Sequence, residues 1–177
     1  MLNKILVAIN ESAASKRAFE HALEFSKALS AELILVYVLD VFDPASPQHP
    51  VIPVDNYSME LDKLVQENYE REWNAFVEHS EALLKQKQAE AEALSISASH
   101  IMPYGRPGPA ICKVAETTHA DLIIVGSRGH SGLKEMVLGS VSNYIMHHAP
   151  CSVTVIHPHS SQAPTAQEQR SEAVTAM

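Results

Sequence analysis

Residues 121–142 read D-L-I-I-V-G-S-R-G-H-S-G-L-K-E-M-V-L-G-S-V-S, an apolar run that breaks into glycines. Asp121 to Val125 has the near-continuous apolar character of a strand buried on both faces of a parallel sheet. Gly126, Gly129 and Gly139-Ser140 then form a G-x2-G-x9-G-S pattern. Ser140 to His148 reads as a short helix that Pro150 ends. A strand, a glycine loop and a helix start in that order suit an anion. Gly126 and Gly129 let backbone N–H groups approach a ligand and let the chain visit positive φ, and a helix start offers free N–H groups at the positive end of its dipole. Ser140 can cap that helix or donate its hydroxyl. Arg128 and His130 lie inside the loop and add charge.

The pattern differs from both common nucleotide loops. A P-loop needs Lys-Ser/Thr directly after its last glycine, where Val141 follows Ser140 here; a dinucleotide fingerprint needs G-x-G-x-x-G after the first strand. The plain alternative, glycines that only make tight turns between strand and helix, has to account for three of the chain's six glycines falling at these positions after a buried strand.

Outward from this stretch the chain alternates between two periodicities. Residues 3–9, N-K-I-L-V-A-I, form an equally apolar first strand, stopped by Asn10-Glu11-Ser12. From Ser12, apolar residues at helical spacing from Ala18 to Leu29 predict a helix ending near Ser30, with Ser12 or Ser15 as N-cap. Glu32 to Leu39 is a second buried strand, closed by Asp40. Prolines at 44, 47, 50 and 53 predict a surface loop over 43–57. A long amphipathic helix follows from Ser58 to about Leu94, with Leu61, Leu64, Val65, Tyr69, Trp73, Phe76, Val77, Leu83 and Leu84 on its apolar stripe and a break or fraying expected near its start. Ser95 to Met102 alternates weakly and suits an edge strand. Residues 104–109 form a turn cluster, and a short helix runs from Ala110 to about His119. Ser152 to His157 is a fifth strand. From Pro158 to Met177 there is almost nothing to bury, which predicts a disordered tail.

Strands alternating with helices imply right-handed crossovers and a doubly wound α/β domain over residues 1–157. In such a sheet, ligands bind beyond the carboxyl ends of the strands where the strand order reverses, so the loops at Asn10 and Gly126 are expected to face one crevice.

Composition bounds the function. A length of 177 residues, 46% hydrophobic and 19% charged, suits one soluble domain. A net charge of -8 argues against a nucleic-acid partner, which calls for a basic face. Cys112 and Cys151 are too few for a disulfide framework and lack zinc-site spacing, so reduced, half-buried thiols are expected. No signal-peptide pattern and no apolar run of bilayer-spanning length stands in the sequence, which points to a cytoplasmic protein without a membrane partner.

The stretch G126-S-R-G129-H-S-G-L-K-E-M-V-L-G139-S140-V-S resembles the ATP-binding motif of the universal stress protein family. The likeness extends over about residues 3 to 157, through K-I-L-V-A-I, L-V-Y-V-L-D, G-R-P-G-P-A-I, A-D-L-I-I-V-G and A-P-C-S-V-T-V-I. It implies a five-stranded parallel sheet of order 3-2-1-4-5, of the adenine nucleotide alpha hydrolase-like type, with adenine nucleotide (ATP, ADP or AMP) between the first and fourth strands; a divalent ion such as Mg could arrive with the nucleotide, held mainly by its phosphates. It also implies a homodimer through the last strand, residues 151–157. Carried over by position, Gly126, Ser127, Arg128, Gly129, His130, Gly139, Ser140, Val141 and Ser142 would hold phosphates and ribose. Ala8, Ile9, Asn10, Val38, and Met102 or Pro103 would line the adenine and ribose pocket. Asn10 stands where the nucleotide-binding branch usually has Asp: its amide keeps an acceptor oxygen, drops the charge and adds an NH2 donor.

Other chemistries find less support. Among ten histidines none are spaced i,i+4, and His157-x-His159 is only a same-face pair at a strand end, so scattered surface histidines explain them better than a metal site. Glu135 is in the glycine connection, and Glu11 and Asp40 end strands near the crevice, yet no Ser-His-Asp or paired-carboxylate arrangement follows from spacing. Cys112 sits beside Ile111 and Val114, where core packing outweighs redox chemistry. Three functions stay open on sequence: a nucleotide-binding regulatory module in stress response, a slow nucleotide hydrolase using Arg128 or His130, and a structural dimer that keeps the turn glycines without the ligand.

Overall fold

The computed structural model describes residues 2–50, 58–127 and 138–157. Five strands form one parallel sheet: β1 (Lys4–Ala8), β2 (Glu32–Val36), β3 (Ala98–Ile101), β4 (Leu122–Gly126) and β5 (Ser152–Ile156). Their order is β3-β2-β1-β4-β5, so β1 sits in the middle and β3 and β5 at the edges. Four helices connect them: α1 (Ala13–Leu29), α2 (Met59–Ala93), α3 (Pro107–Thr118) and α4 (Ser140–His148).

Side chains alternate across a strand, and the two halves of each apolar run fill two separate cores. Ile5, Val7, Leu33, Leu35, Leu122 and Ile124 face α1 and α2, where Phe19, Ala22 and Leu84 meet them. Leu6, Ile34, Val36, Ile123 and Val125 face α3 and α4, where Ile111, Val114 and Ile145 meet them. This two-sided burial is why the strands read as continuous apolar runs. At its start β4 is tied to β1 by Asp121, whose Oδ2 accepts the backbone N–H of Asn3 at 2.7 Å and of Lys4 at 3.0 Å. These bonds, the first the larger, hold the Asp121 carboxyl below the usual aspartate range.

Helix ends follow local chemistry. Ser12 caps α1, its hydroxyl accepting from Ser15 N–H, and Ser30 closes it in the left-handed region at φ 53. Ser58 caps α2 through Leu61 N–H. At 35 residues α2 is about 52 Å long, and it runs unbroken through the described residues, without the break expected near its start. Its first turns bury little: Leu64 is 61% exposed and Met59 82%. No described helix is long and apolar enough to cross a membrane.

Three boundaries differ by three residues from the sequence reading. β2 ends at Val36, although Leu39 still bridges Tyr104 beyond it. β3 begins at Ala98, because Ser95 takes φ 63 and its N–H closes α2 on the Glu92 carbonyl. α3 begins at Pro107, inside the stretch read as a turn; proline at N1 has no N–H to lose. Residues 51–57 of the proline-rich loop and the tail from residue 158 lie outside the described residues.

Candidate functional site

β1 leads through α1 to one side of the sheet, and β4 leads through α4 to the other. The carboxyl ends of these neighbouring strands therefore part, and a cavity of about 590 Å³ opens there. Its floor is Ala8, Ile9 and Asn10 after β1, Val36 to Val38 along β2, and Val125 and Gly126 on β4. Its upper wall is Arg106 to Pro109 with Ile111, and Gly139 to Ser142 with Tyr144; Asp40 and residues 42–44 form the remaining rim.

Three helix starts converge on this space. Ser12 and Ser15 bring the start of α1, Arg106 to Gly108 that of α3, and Gly139 to Val141 that of α4. The α1 start is capped by Ser12, whereas α3 and α4 carry no side-chain cap. In α3 the prolines at 107 and 109 leave Gly108 as the free N–H of the first turn. In α4 the N–H groups of Ser140, Val141 and Ser142 precede the first intrahelical bond, Asn143 N–H to Gly139 carbonyl at 2.9 Å. Uncapped N–H groups and aligned dipoles favour an anion at the α4 end of the cavity.

The chain leaves β4 and returns to α4 through a pinned gap. Gly139 N–H donates to the Ser127 carbonyl at 2.7 Å, and Ser127 N–H donates to the Ile156 carbonyl at 2.8 Å. The Ser142 hydroxyl lies 3.1 Å from the Ser127 carbonyl and 3.0 Å from that of Gly139, so its one proton serves both. Ser127 is buried beneath this closure, its hydroxyl without a partner. Arg128, Gly129 and His130 lie outside the described residues.

At the opposite end, Asp40 is 7% exposed and accepts Phe42 N–H at 3.0 Å. Arg106 faces Asp40 at 3.8 Å and stands over the Phe42 ring, 5.3 Å from its centre. A carboxylate, a guanidinium and an aromatic ring thus share the rim. Tyr37 lies in the floor beneath, and burial pushes its phenol up from the usual range, against the opposing effect of its bond with the Ser80 side chain.

Of the residues singled out from sequence, Ala8, Ile9, Asn10, Val38, Gly126, Gly139, Ser140, Val141 and Ser142 come together around the cavity. Met102 and Pro103 do not line it. Met102 packs against the α1 and α2 core, while its neighbour Ile101 packs against the core on the α3 and α4 side, as strand alternation requires. The Pro103 carbonyl is held by Leu39 N–H at 2.9 Å. Gly126 also differs from expectation: positive φ is confined among described glycines to Gly105, and Gly126 is needed because a Cβ there would stand 2.8 Å from the Ala14 carbonyl carbon. Sequence reasoning placed Asp40 near the crevice, and it lines the cavity, but it did not assign Ser12, Ser15, Phe42, Arg106 to Pro109, or Tyr144 to it. Pro107 at a helix start was the available signal for Arg106 to Pro109. Glu11 turns away, pairing with His79 of α2 at 2.5 Å. The described residues contain no cluster of three metal-ligating side chains.

The family model described as "Universal stress protein family" matches residues 1–157. The universal stress protein YxiE of Bacillus subtilis is 32% identical over 157 residues, covering 88% of this chain and 99% of its own. Among solved structures, that of MJ0577 of Methanocaldococcus jannaschii is similar with a TM-score of 0.71 and 27% identity, over 91% of this chain and 99% of that one. A universal stress protein family protein from Arabidopsis thaliana, solved with AMP bound, shares the fold at a TM-score of 0.58 and 20% identity, over 94% of this chain and 99% of its own.

Proposed function

The chain belongs to the universal stress protein family, and from that premise we propose that its crevice binds an adenine nucleotide, ATP, ADP or AMP, to regulate a stress response. The observation that carries this reading is the convergence of three helix starts, that of α4 uncapped, on one cavity at the reversal of strand order. The phosphates fit the free N–H groups of Ser140, Val141 and Ser142, with Arg128, Gly129 and His130 as further contacts. The base fits the apolar end between Val38, Ile111 and Pro107. A volume of about 590 Å³ falls in the range of small-ligand pockets, and an adenine nucleotide bound in a neighbour of the same fold supports the choice of ligand.

In this reading the protein works as a binding module in the cytoplasm. Mg, when present, arrives on the phosphates. β5 lies at the edge of the sheet, and we assign residues 151–157 to a homodimer contact whose stability nucleotide occupancy biases. Titration calorimetry of nucleotide-stripped protein with ATP, ADP and AMP is expected to show binding below millimolar, and failure of all three would overturn the reading.

A further inference from the structure

The first half of α2 extends beyond the core on which the helix packs. Its buried residues, Ser80, Leu84 and Ala91, all fall in the second half, and Met59 to His79 bury none. Yet this half is not bland. Tyr69 and Trp73, half-buried one turn apart, have ring centres 6.2 Å apart, and Tyr104, which is 67% exposed, continues the row 6.4 Å from Trp73. Adjacent ring planes lie 29° and 25° apart, so the three form an aromatic shelf. Beside it opens a hollow of about 460 Å³ lined by Met59, Asp62, Lys63, Gln66, Glu67 and Glu70. Lys63 pairs with Glu67 at 3.8 Å, while Asp62 and Glu70 have no cation beside them among the described residues. Asp62, Gln66, Tyr69 and Trp73 recur at i, i+4, i+7 and i+11, which sets hollow and shelf along one face of the helix. α2 packs over β2 and β3, at the sheet edge opposite β5, so the dimer contact assigned to residues 151–157 leaves this face open.

Charge says what fits here. Between Met59 and Trp73 five acids stand against two bases, so a second copy laid on the same face would set like charges together. Arginine matches both parts of the surface, because its guanidinium stacks on aromatic faces and pairs with carboxylates. The chain itself shows the backbone that suits the shelf. His49, between Pro47 and Pro50 in a stretch without regular structure, sets its ring 4.8 Å from that of Tyr69 and its Nε2 3.2 Å from Gln66 Oε1. We propose that this face of α2 docks a proline-rich, arginine-bearing segment of a protein partner. Its prolines lie on Tyr104 and Trp73, and its arginine enters the hollow beside Asp62 and Glu70. A proline-rich segment is extended before it binds, so it gives up little conformational freedom on an open aromatic surface.

Labelled synthetic peptides, proline-rich and carrying arginine, titrated with the full chain by fluorescence anisotropy test this. The emission of Trp73, the chain's single tryptophan, is followed in parallel. Saturable binding with a shift in that emission is expected. Replacing the arginines by glutamate, or the prolines by alanine, is expected to weaken binding by about tenfold or more. Tyr104→Ala and Glu70→Lys alter exposed side chains, so the melting temperature is expected to hold while affinity falls by about tenfold or more. Should either variant fail to fold, the peptide replacements decide on the wild type alone. Failure of every arginine-bearing peptide to bind overturns the proposal, as does binding that leaves Trp73 emission unmoved and is indifferent to Tyr104→Ala. Equal affinity for the alanine-substituted peptides overturns the proline-rich occupant. In sedimentation, self-association that Tyr104→Ala abolishes would place a second copy on this face and overturns the proposal as well.

Discussion

The ring of Tyr144 in α4 lies against the Cα of Gly108 in α3, so close that a Cβ added to Gly108 would stand 2.7 Å from Tyr144 Cδ1 and 2.9 Å from its Cβ. The conflict involves the root of the tyrosine side chain as well as its ring, so a rotamer change does not relieve it. The two helices that roof the crevice are held at this spacing by the missing methyl.

Gly108→Ala is therefore expected to destabilise the fold by about 1–3 kcal/mol through overpacking. Tyr144 stacks on His148 with ring centres 4.0 Å apart, so the strain passes along α4. Denaturant unfolding of the variant checks the magnitude, and a neutral result would show that α3 and α4 separate freely.

Gly126→Ala meets backbone instead of a ring. The new Cβ would stand 2.8 Å from the Ala14 carbonyl carbon and 2.9 Å from its Cβ, forcing α1 away from β4. A loss of roughly 1–3 kcal/mol is expected in urea unfolding. Since Asn10, Ser12 and Ser15 move with the start of α1, nucleotide affinity in calorimetry is expected to fall as well.

Ser142→Ala removes the hydroxyl shared by the Ser127 and Gly139 carbonyls. The expected cost is about 1 kcal/mol, the net worth of one buried hydrogen bond. The bond from Gly139 N–H to Ser127 remains, so the fold is expected to survive while the site, measured by nucleotide titration, loosens.

Asp121 gives the stability a pH dependence. Its carboxylate accepts the N–H groups of Asn3 and Lys4, and its folded pKa lies below the usual value. The stabilisation is complete above the unfolded aspartate value and is lost as pH falls through the folded one. The melting temperatures of wild type and Asp121→Ala are thus expected to differ at neutral pH and to converge as the solution is acidified below the usual aspartate range.

Burial pushes the Cys112 and Cys151 thiols up from the usual range. Both are expected to alkylate slowly with iodoacetamide at neutral pH, with rates that rise only above the usual thiol range. Fast labelling of either at pH 7 would contradict this.

Local sequence determined a good deal of this molecule. Three apolar runs gave the central strands β1, β2 and β4 because burial on both faces leaves no room for polar residues, and the glycine before Ser140 marked a helix start open to an anion. Serines at 12 and 58 announced two helices because an N-cap needs only its own next turn. These signals act within a few residues, so pattern suffices to read them.

Tertiary structure alone decided what depends on partners far along the chain. It packed Met102 into the α1 and α2 core, out of the cavity lining, while Asp40, Phe42 and Arg106 met on the rim. It gave Gly126 its reason in Ala14 and Gly108 its reason in Tyr144, contacts that span over a hundred residues in one case and over thirty in the other. It also left Asn10 with an engaged oxygen and a free donor, a distinction of one atom set by Ser12 and Ser15. Periodicity fixes the face on which a side chain lies only once register is known, and it carries no record of the distance to a distant backbone.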